Sequence, residues 1–229
     1  MKDVITDKRI VVFAGHYGSG KTNIAVNYAL ALREKYPEKA VSLADLDIVN
    51  PYFRTKDSAA ILQKSGIRLI SSEFASSNVD LPALPPDTYA ILDNKDMLGV
   101  IDVGGDDRGA LALGRYTPGI LSDGSYDFIF VINKYRPLTG TAEDTAEIMR
   151  EIEHAAGMRF TGIANNSNLG DITTADDVLS AVSYAEKVAK ITGLEIKMTT
   201  IKKSLEAELQ GKIYKLAPMT LYVKQSWDA

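Results

Sequence analysis

The run VVFAGHYGSGKTNIAVNYAL, residues 11–30, constrains this chain more than any other feature. Apolar, β-branched residues break into a glycine-rich stretch, and a lysine and a threonine then open a helical pattern. A strand that turns through glycine straight into a helix is one corner of a β–α–β unit. Gly15-His16-Tyr17-Gly18-Ser19-Gly20-Lys21-Thr22 fits G-x-x-x-x-G-K-[ST]. In that pattern main-chain N–H groups turn inward around oxygen atoms, and the helix adds its positive N-terminal end. The lysine reaches the β- and γ-phosphates, and the hydroxyl can ligate Mg²⁺. The residues expected to meet a nucleotide are therefore Gly15, His16, Gly18, Ser19, Gly20, Lys21, Thr22 and the adjoining Asn23.

The rest of the chain keeps the same rhythm. Apolar strand patterns at 9–14, 39–44, 67–71, 97–103, 126–133, 160–165, 194–201 and 220–223 are separated by helical patterns at 22–35, 56–64, 87–94, 141–156 and 174–192. That alternation predicts a three-layer α/β/α fold on a mostly parallel sheet, with ligands at the C-terminal ends of the strands. A length of 229 residues, with no repeat and no low-complexity linker, suits one domain over 1–229.

Composition removes several functions. Net charge is −4, so bulk electrostatics give no attraction to nucleic acid or an anionic membrane. There is no cysteine, which excludes disulfides, thiolate metal sites and a cysteine nucleophile. Two histidines, far apart, cannot build a zinc site. The first residues, MKDVITDKRI, lack an apolar signal core, and no run reaches the ~20 apolar residues of a membrane span. A cytoplasmic location is the expectation.

Acids mark the ends of two further strands. LADLDIVNPYFR places Asp45 and Asp47 on one side of an extended chain. A carboxylate there can face a γ-phosphate and orient water; capping of the loop before Pro51 is the plain alternative. In GVIDVGGDDRG, Asp102 follows an apolar strand, where it can hold Mg²⁺. Asp102-Val103-Gly104-Gly105 also fits D-x-x-G, in which a glycine N–H senses the γ-phosphate. Asp106 and Asp107 read as loop acids or helix caps.

On these residues the sequence resembles the MinD/ParA/CobQ-type P-loop NTPases, the SIMIBI-class relatives of the nitrogenase iron protein. The resemblance rests on residues 15–22, DLD at 45–47 and DVGG at 102–105, and coarsely covers 9–223. It implies ATP and Mg²⁺ as cofactors, slow hydrolysis, a homodimer formed on ATP, and a signal to a partner protein. It implies Lys21 and Thr22 on phosphate and metal, Asp47 as the water-orienting acid and a further metal ligand with Asp45 in support, and Asp102 as the Walker B acid. Asn166, in GIANNSN, is implied as the adenine ligand, with a turn asparagine as the alternative.

The pattern departs at His16. The family places a lysine there that reaches the partner's phosphate, and histidine is shorter and only partly charged near pH 7. Three accounts stay open: a protonated His16 on phosphate, a trans charge from Arg54, Arg108 or Arg136, or nucleotide binding with scarcely any hydrolysis. Asn133-Lys134 begins the guanine signature N-K-x-D, but Arg136 stands where the acid belongs. A guanidinium cannot accept guanine's N–H donors, which favours ATP over GTP.

The remaining features read as packing or solvated surface. His154 lies at a helix end, Tyr126, Phe128 and Phe130 alternate along a strand, and Trp227 sits in a short tail. The functions that remain are an ATPase switch, a small-molecule kinase or amide-forming ligase with residues 50–54 lining its pocket, and a nucleotide-binding interaction module that barely hydrolyses.

Overall fold

A computed structural model describes residues 1–47, 56–71, 89–105 and 107–222, with the side chains of residues 56, 57, 71, 107 and 108 outside that description. The pocket expected at 50–54, with Arg54, lies outside the described residues, as do Asp106, the side chain of Arg108 and the tail that carries Trp227.

The strands are β1 (Ile10–Ala14), β2 (Val41–Leu46), β3 (Arg68–Ser71), β4 (Leu98–Val103), β5 (Tyr126–Ile132), β6 (Gly162–Asn165), β7 (Ile196–Lys202) and β8 (Leu216–Met219). They form one sheet in the order β3-β2-β4-β1-β5-β6-β7-β8. Each neighbouring pair among them is parallel. The helices are α1 (Lys21–Lys35), α2 (Lys56–Lys64), α3 (Tyr89–Asp93), α4 (Asp107–Gly114), α5 (Thr117–Asp123), α6 (Ala142–Ala156), α7 (Ala175–Ser180), α8 (Val182–Thr192) and α9 (Glu206–Leu209).

β1 is buried along its whole length, as a central strand of a parallel sheet must be. Its alternate residues feed two cores. Ile10, Val12 and Ala14 pack on one face with Phe128, Phe130 and Phe160, while Val11 and Phe13 pack on the other with Ile24, Tyr28 and Leu32 of α1. Phe128 and Phe160 stack at 3.9 Å, so the aromatic alternation of β5 is packing. The sheet with helices on both faces is the three-layer α/β/α arrangement expected.

Topology places the site. The chain leaves β1 towards β2 and β3 on one side, returns to β4, and crosses to β5 and beyond on the other. Connections diverge between β1 and β5 and between β2 and β4, and such switch points are where open parallel sheets hold ligands. No described helix is long and apolar enough to cross a membrane.

Three readings need correction. The helix expected over 174–192 is two, broken at Ala181. The Asp177 carbonyl accepts from the Tyr135 and Ser180 hydroxyls, and Ala181 N turns to Val178 O in a tighter turn. The last strand is Leu216–Met219, not 220–223; Pro218 within it disguises it, and an edge strand tolerates proline. Helices α4 and α5 are missing from the sequence reading, because glycines and Pro118 interrupt GALALGRYTPGILSDG. Pro118 in fact sits at the start of α5, where no N–H is needed.

Candidate nucleotide site

The glycine-rich loop runs from the end of β1 into α1. It lies hard against β5, since a Cβ on Gly15 would come within 2.3 Å of Val131 O. Gly20 is the N-cap of α1, left-handed at φ 89°, and a Cβ there would meet Asn166 Nδ2 at 2.1 Å. Only glycine satisfies both conditions. This helix start has no side-chain cap and no acidic residue in its first turn, an electropositive end suited to an anion. Lys21 is 3% exposed and Thr22 7%. Lys21 Nζ donates to His16 O at 3.2 Å. Ser19 Oγ is buried without a hydrogen-bond partner among the described residues, a cost of about 1–3 kcal/mol that a ligand oxygen would offset. A buried ammonium, a partnerless buried hydroxyl and an uncapped helix start fit a polyphosphate.

The acids meet this loop at one edge of the sheet. In register, Phe13 pairs with Asp102, and Asp102 pairs with Asp45. Asp45, Asp47 and Asp102 are all buried. Asp47 N donates to Asp45 Oδ1 at 2.9 Å, a local turn that fixes the end of β2. Buried carboxylates on adjacent strands repel in a low dielectric, and a divalent cation relieves that repulsion. Mg²⁺ takes one or two protein oxygens and fills its shell from phosphates and water. Thr22, Asp102 and Asp47 are the residues that could supply such oxygens.

DVGG closes onto the same loop. A Cβ on Gly105 would fall 2.6 Å from Tyr17 Cα and 3.0 Å from Lys21 Nζ. A Cβ on Gly104 would stand 3.4 Å from Asp47 Cα. Gly109 of α4 packs in turn on Gly104, with a Cβ there 2.6 Å from Gly104 Cα. The structure thus brings Gly15, Gly18, Gly20, Lys21, Thr22, Asp45, Asp47, Asp102 and Gly105 together.

Two expected ligands also make hydrogen bonds within the protein. Asn166, 1% exposed, donates from Nδ2 to Ser19 O at 2.6 Å and accepts at Oδ1 from Thr200 Oγ1 at 2.5 Å. Its amide is a strut between β7 and the loop, and each end of an asparagine amide can make one hydrogen bond more. Asn23 accepts at Oδ1 from Tyr222 N at 2.9 Å, far along the chain.

The loop after β5 touches the site through Arg136, whose Nε donates to Gly18 O at 2.9 Å. This arginine, one of those considered for a charge across a dimer, contacts the loop of its own chain. Asn133 accepts from Tyr135 N and Asn168 N and donates to Asn168 O, tying the loops after β5 and β6 together. At His16, burial foremost, and then the charge of Lys21, pushes the imidazole below its ordinary 6.5 against the opposing contact with Tyr17 O. A protonated His16 is disfavoured at neutral pH.

Sequence reasoning missed Thr200, Arg136 as a same-chain contact, and the packing of Gly105 on Tyr17. Thr200 carries no motif at all. Arg136 was visible as a misfit in N-K-x-D and as a candidate charge across a dimer, not as a contact of its own loop.

No protein-family model matches the chain, and no curated protein matches it. Solved structures do. The signal recognition particle 54 kDa protein of Aeropyrum pernix K1, in complex with GDP, has a TM-score of 0.54 at 16% identity, over 87% of this chain and 43% of that one. FtsY of Thermotoga maritima gives 0.55 at 18%, over 87% and 67%. Chloroplast FtsY of Physcomitrella patens gives 0.57 at 15%, over 85% and 59%. This chain spans less than half the length of the first of these and about three-fifths of the last. At such identities the likeness is one of fold alone, a parallel sheet with helices on both faces.

Proposed function

We propose that this chain is a Mg²⁺-dependent ATP-binding protein that hydrolyses slowly and uses the bound nucleotide to control a homodimer and, through it, a partner protein. The contact of Gly105 with Tyr17 and Lys21 carries this reading. A D-x-x-G glycine packed on the phosphate loop can exchange that contact for a γ-phosphate, and such an exchange tells triphosphate from diphosphate.

The residues divide the work. The loop N–H groups and Lys21 hold phosphate, Thr22 and Asp102 hold the metal, and Asp47 orients water with Asp45 fixing its turn. Bound Mg²⁺ supplies neutralisation of phosphate charge. ATP is preferred to GTP because Arg136, where a guanine-reading acid would stand, donates to Gly18 O. A neutral His16 supplies no cationic contact, which fits slow turnover; the same observation supports the reading of a binding module that barely turns over.

Sedimentation in Mg²⁺ with ADP and with ATPγS separates these readings, combined with competition between ATP and GTP. The switch predicts a monomer in ADP, a dimer in ATPγS and displacement by ATP before GTP. One sedimentation value in both nucleotides would leave the binding module; preference for GTP would overturn the base assignment.

A further inference from the structure

The first two turns of α1 carry a second kind of site. Asn27 uses both ends of its amide on a single residue of the C-terminal segment: Nδ2 donates to Thr220 O at 2.7 Å, and Oδ1 accepts from Thr220 N at 3.0 Å. One turn earlier, Asn23 Oδ1 accepts from Tyr222 N at 2.9 Å. Residues four apart on a helix lie on one face, and residues two apart on an extended chain face the same way. The two asparagines therefore act as a short false strand, giving Thr220–Tyr222 the main-chain partners that a sheet would give. Both asparagines are 8% exposed. Asn27 Nδ2 also donates to Asn23 O at 2.8 Å, which joins the rungs. Ala217 and Met219, just before the segment, belong to the core that α1 closes, and Tyr222 packs against it.

We infer that Asn23 and Asn27 form a binding site for an extended main chain, filled here by Thr220–Tyr222, and that its occupancy is linked to nucleotide at Thr22. The linkage rests on the nucleotide-binding reading above. Asn23 directly follows Thr22 in the first turn of α1, so a nucleotide that fixes this turn also fixes the upper rung. The latched segment in turn orders the turn that meets phosphate and metal. Recognition is through backbone atoms, so the residue types at 220 and 222 matter less than an extended chain with a free N–H at each. Linkage is reciprocal: what nucleotide does for the segment, the segment does for nucleotide.

Hydrogen exchange of the Thr220 and Tyr222 amides, with and without Mg²⁺-ATPγS, tests this beside titration of ATPγS. Asn27→Ala removes the lower rung with a good helix former. Thr220→Pro removes the same N–H donor from the other side and leaves both asparagines in place. In the unaltered protein, ATPγS should slow exchange of the two amides by about fivefold or more, the equilibrium factor of one net hydrogen bond. Each variant should speed that exchange and weaken ATPγS by a similar factor. Variants that free the segment yet bind ATPγS as tightly as the unaltered protein would overturn the linkage and spare the proposed function. An unaltered protein that binds no ATPγS, with the amides still protected by Asn27, would overturn both the linkage and the proposed function.

Discussion

The two ends of the sheet treat buried charge in opposite ways. Before β1, Arg9 is 9% exposed and its guanidinium is fully engaged. Nη1 donates to Ile91 O at 2.6 Å, Asn94 O at 3.1 Å and Met97 O at 3.0 Å. Nε and Nη2 meet the Asp123 carboxylate, which also takes Lys95 at 2.7 Å. After β1, the chain gathers Asp45, Asp47, Asp102 and Lys21 in the interior, and the Ser19 hydroxyl has no partner among the described residues. Charge at the first end is matched inside the protein and holds helix α5 and the loop before β4 to β1. Charge at the second end is concentrated at the edge of the sheet that carries the glycine-rich loop, and such a cluster is the pattern of a site.

The contrast can be broken most sharply at Asp123. Asp123→Ala leaves the Arg9 guanidinium buried without its anion and should cost about 3–5 kcal/mol in a urea titration. Nucleotide affinity of the folded fraction should not change. A loss under ~1 kcal/mol would remove the pair from its structural role.

A smaller effect follows from pH. Burial alone would push the Asp123 carboxyl up, but the hydrogen bonds and charges of Arg9 and Lys95 outweigh it and hold the group at about 2. In that window the unfolded chain binds a proton that the folded chain refuses. The stabilisation is complete above pH ~4 and is lost as pH falls towards 2, a loss of about 2 kcal/mol. Asp123→Asn should flatten that part of the stability profile, and an unchanged slope would contradict the assignment.

The smallest change in stability belongs to the other end. Asp102→Asn removes one of two carboxylates paired in register and should shift stability by no more than ~1 kcal/mol, in either direction. It should abolish the Mg²⁺ dependence of nucleotide binding. A large destabilisation would make Asp102 a structural group like Asp123.

The same contrast explains what was legible in the sequence. Residues 15–22, Asp45, Asp47, Asp102 and Gly105 were readable because their chemistry is local: each sits at the end of an apolar strand, and the strands are readable by their β-branched runs. Long-range partners were not readable. Nothing near Asn166 in the sequence announces Ser19 or Thr200, and nothing near Asn23 announces Tyr222, although those contacts decide what each amide does. The Arg9 network escaped for the same reason, since its acceptors are main-chain carbonyls that any residue supplies. Helices α4 and α5 were hidden by glycines, one of which is required by contact with Gly104.

The central claim is that the main-chain cage and Lys21 at the first strand–helix corner hold a triphosphate. Calorimetric titration of Mg²⁺-ATPγS into the unaltered protein and into Lys21→Ala tests it most directly. The account predicts saturable one-to-one binding that Lys21→Ala weakens by at least about a hundredfold, the loss of a buried charge-assisted contact. Equal affinity for the two proteins, or no binding by either, would contradict it.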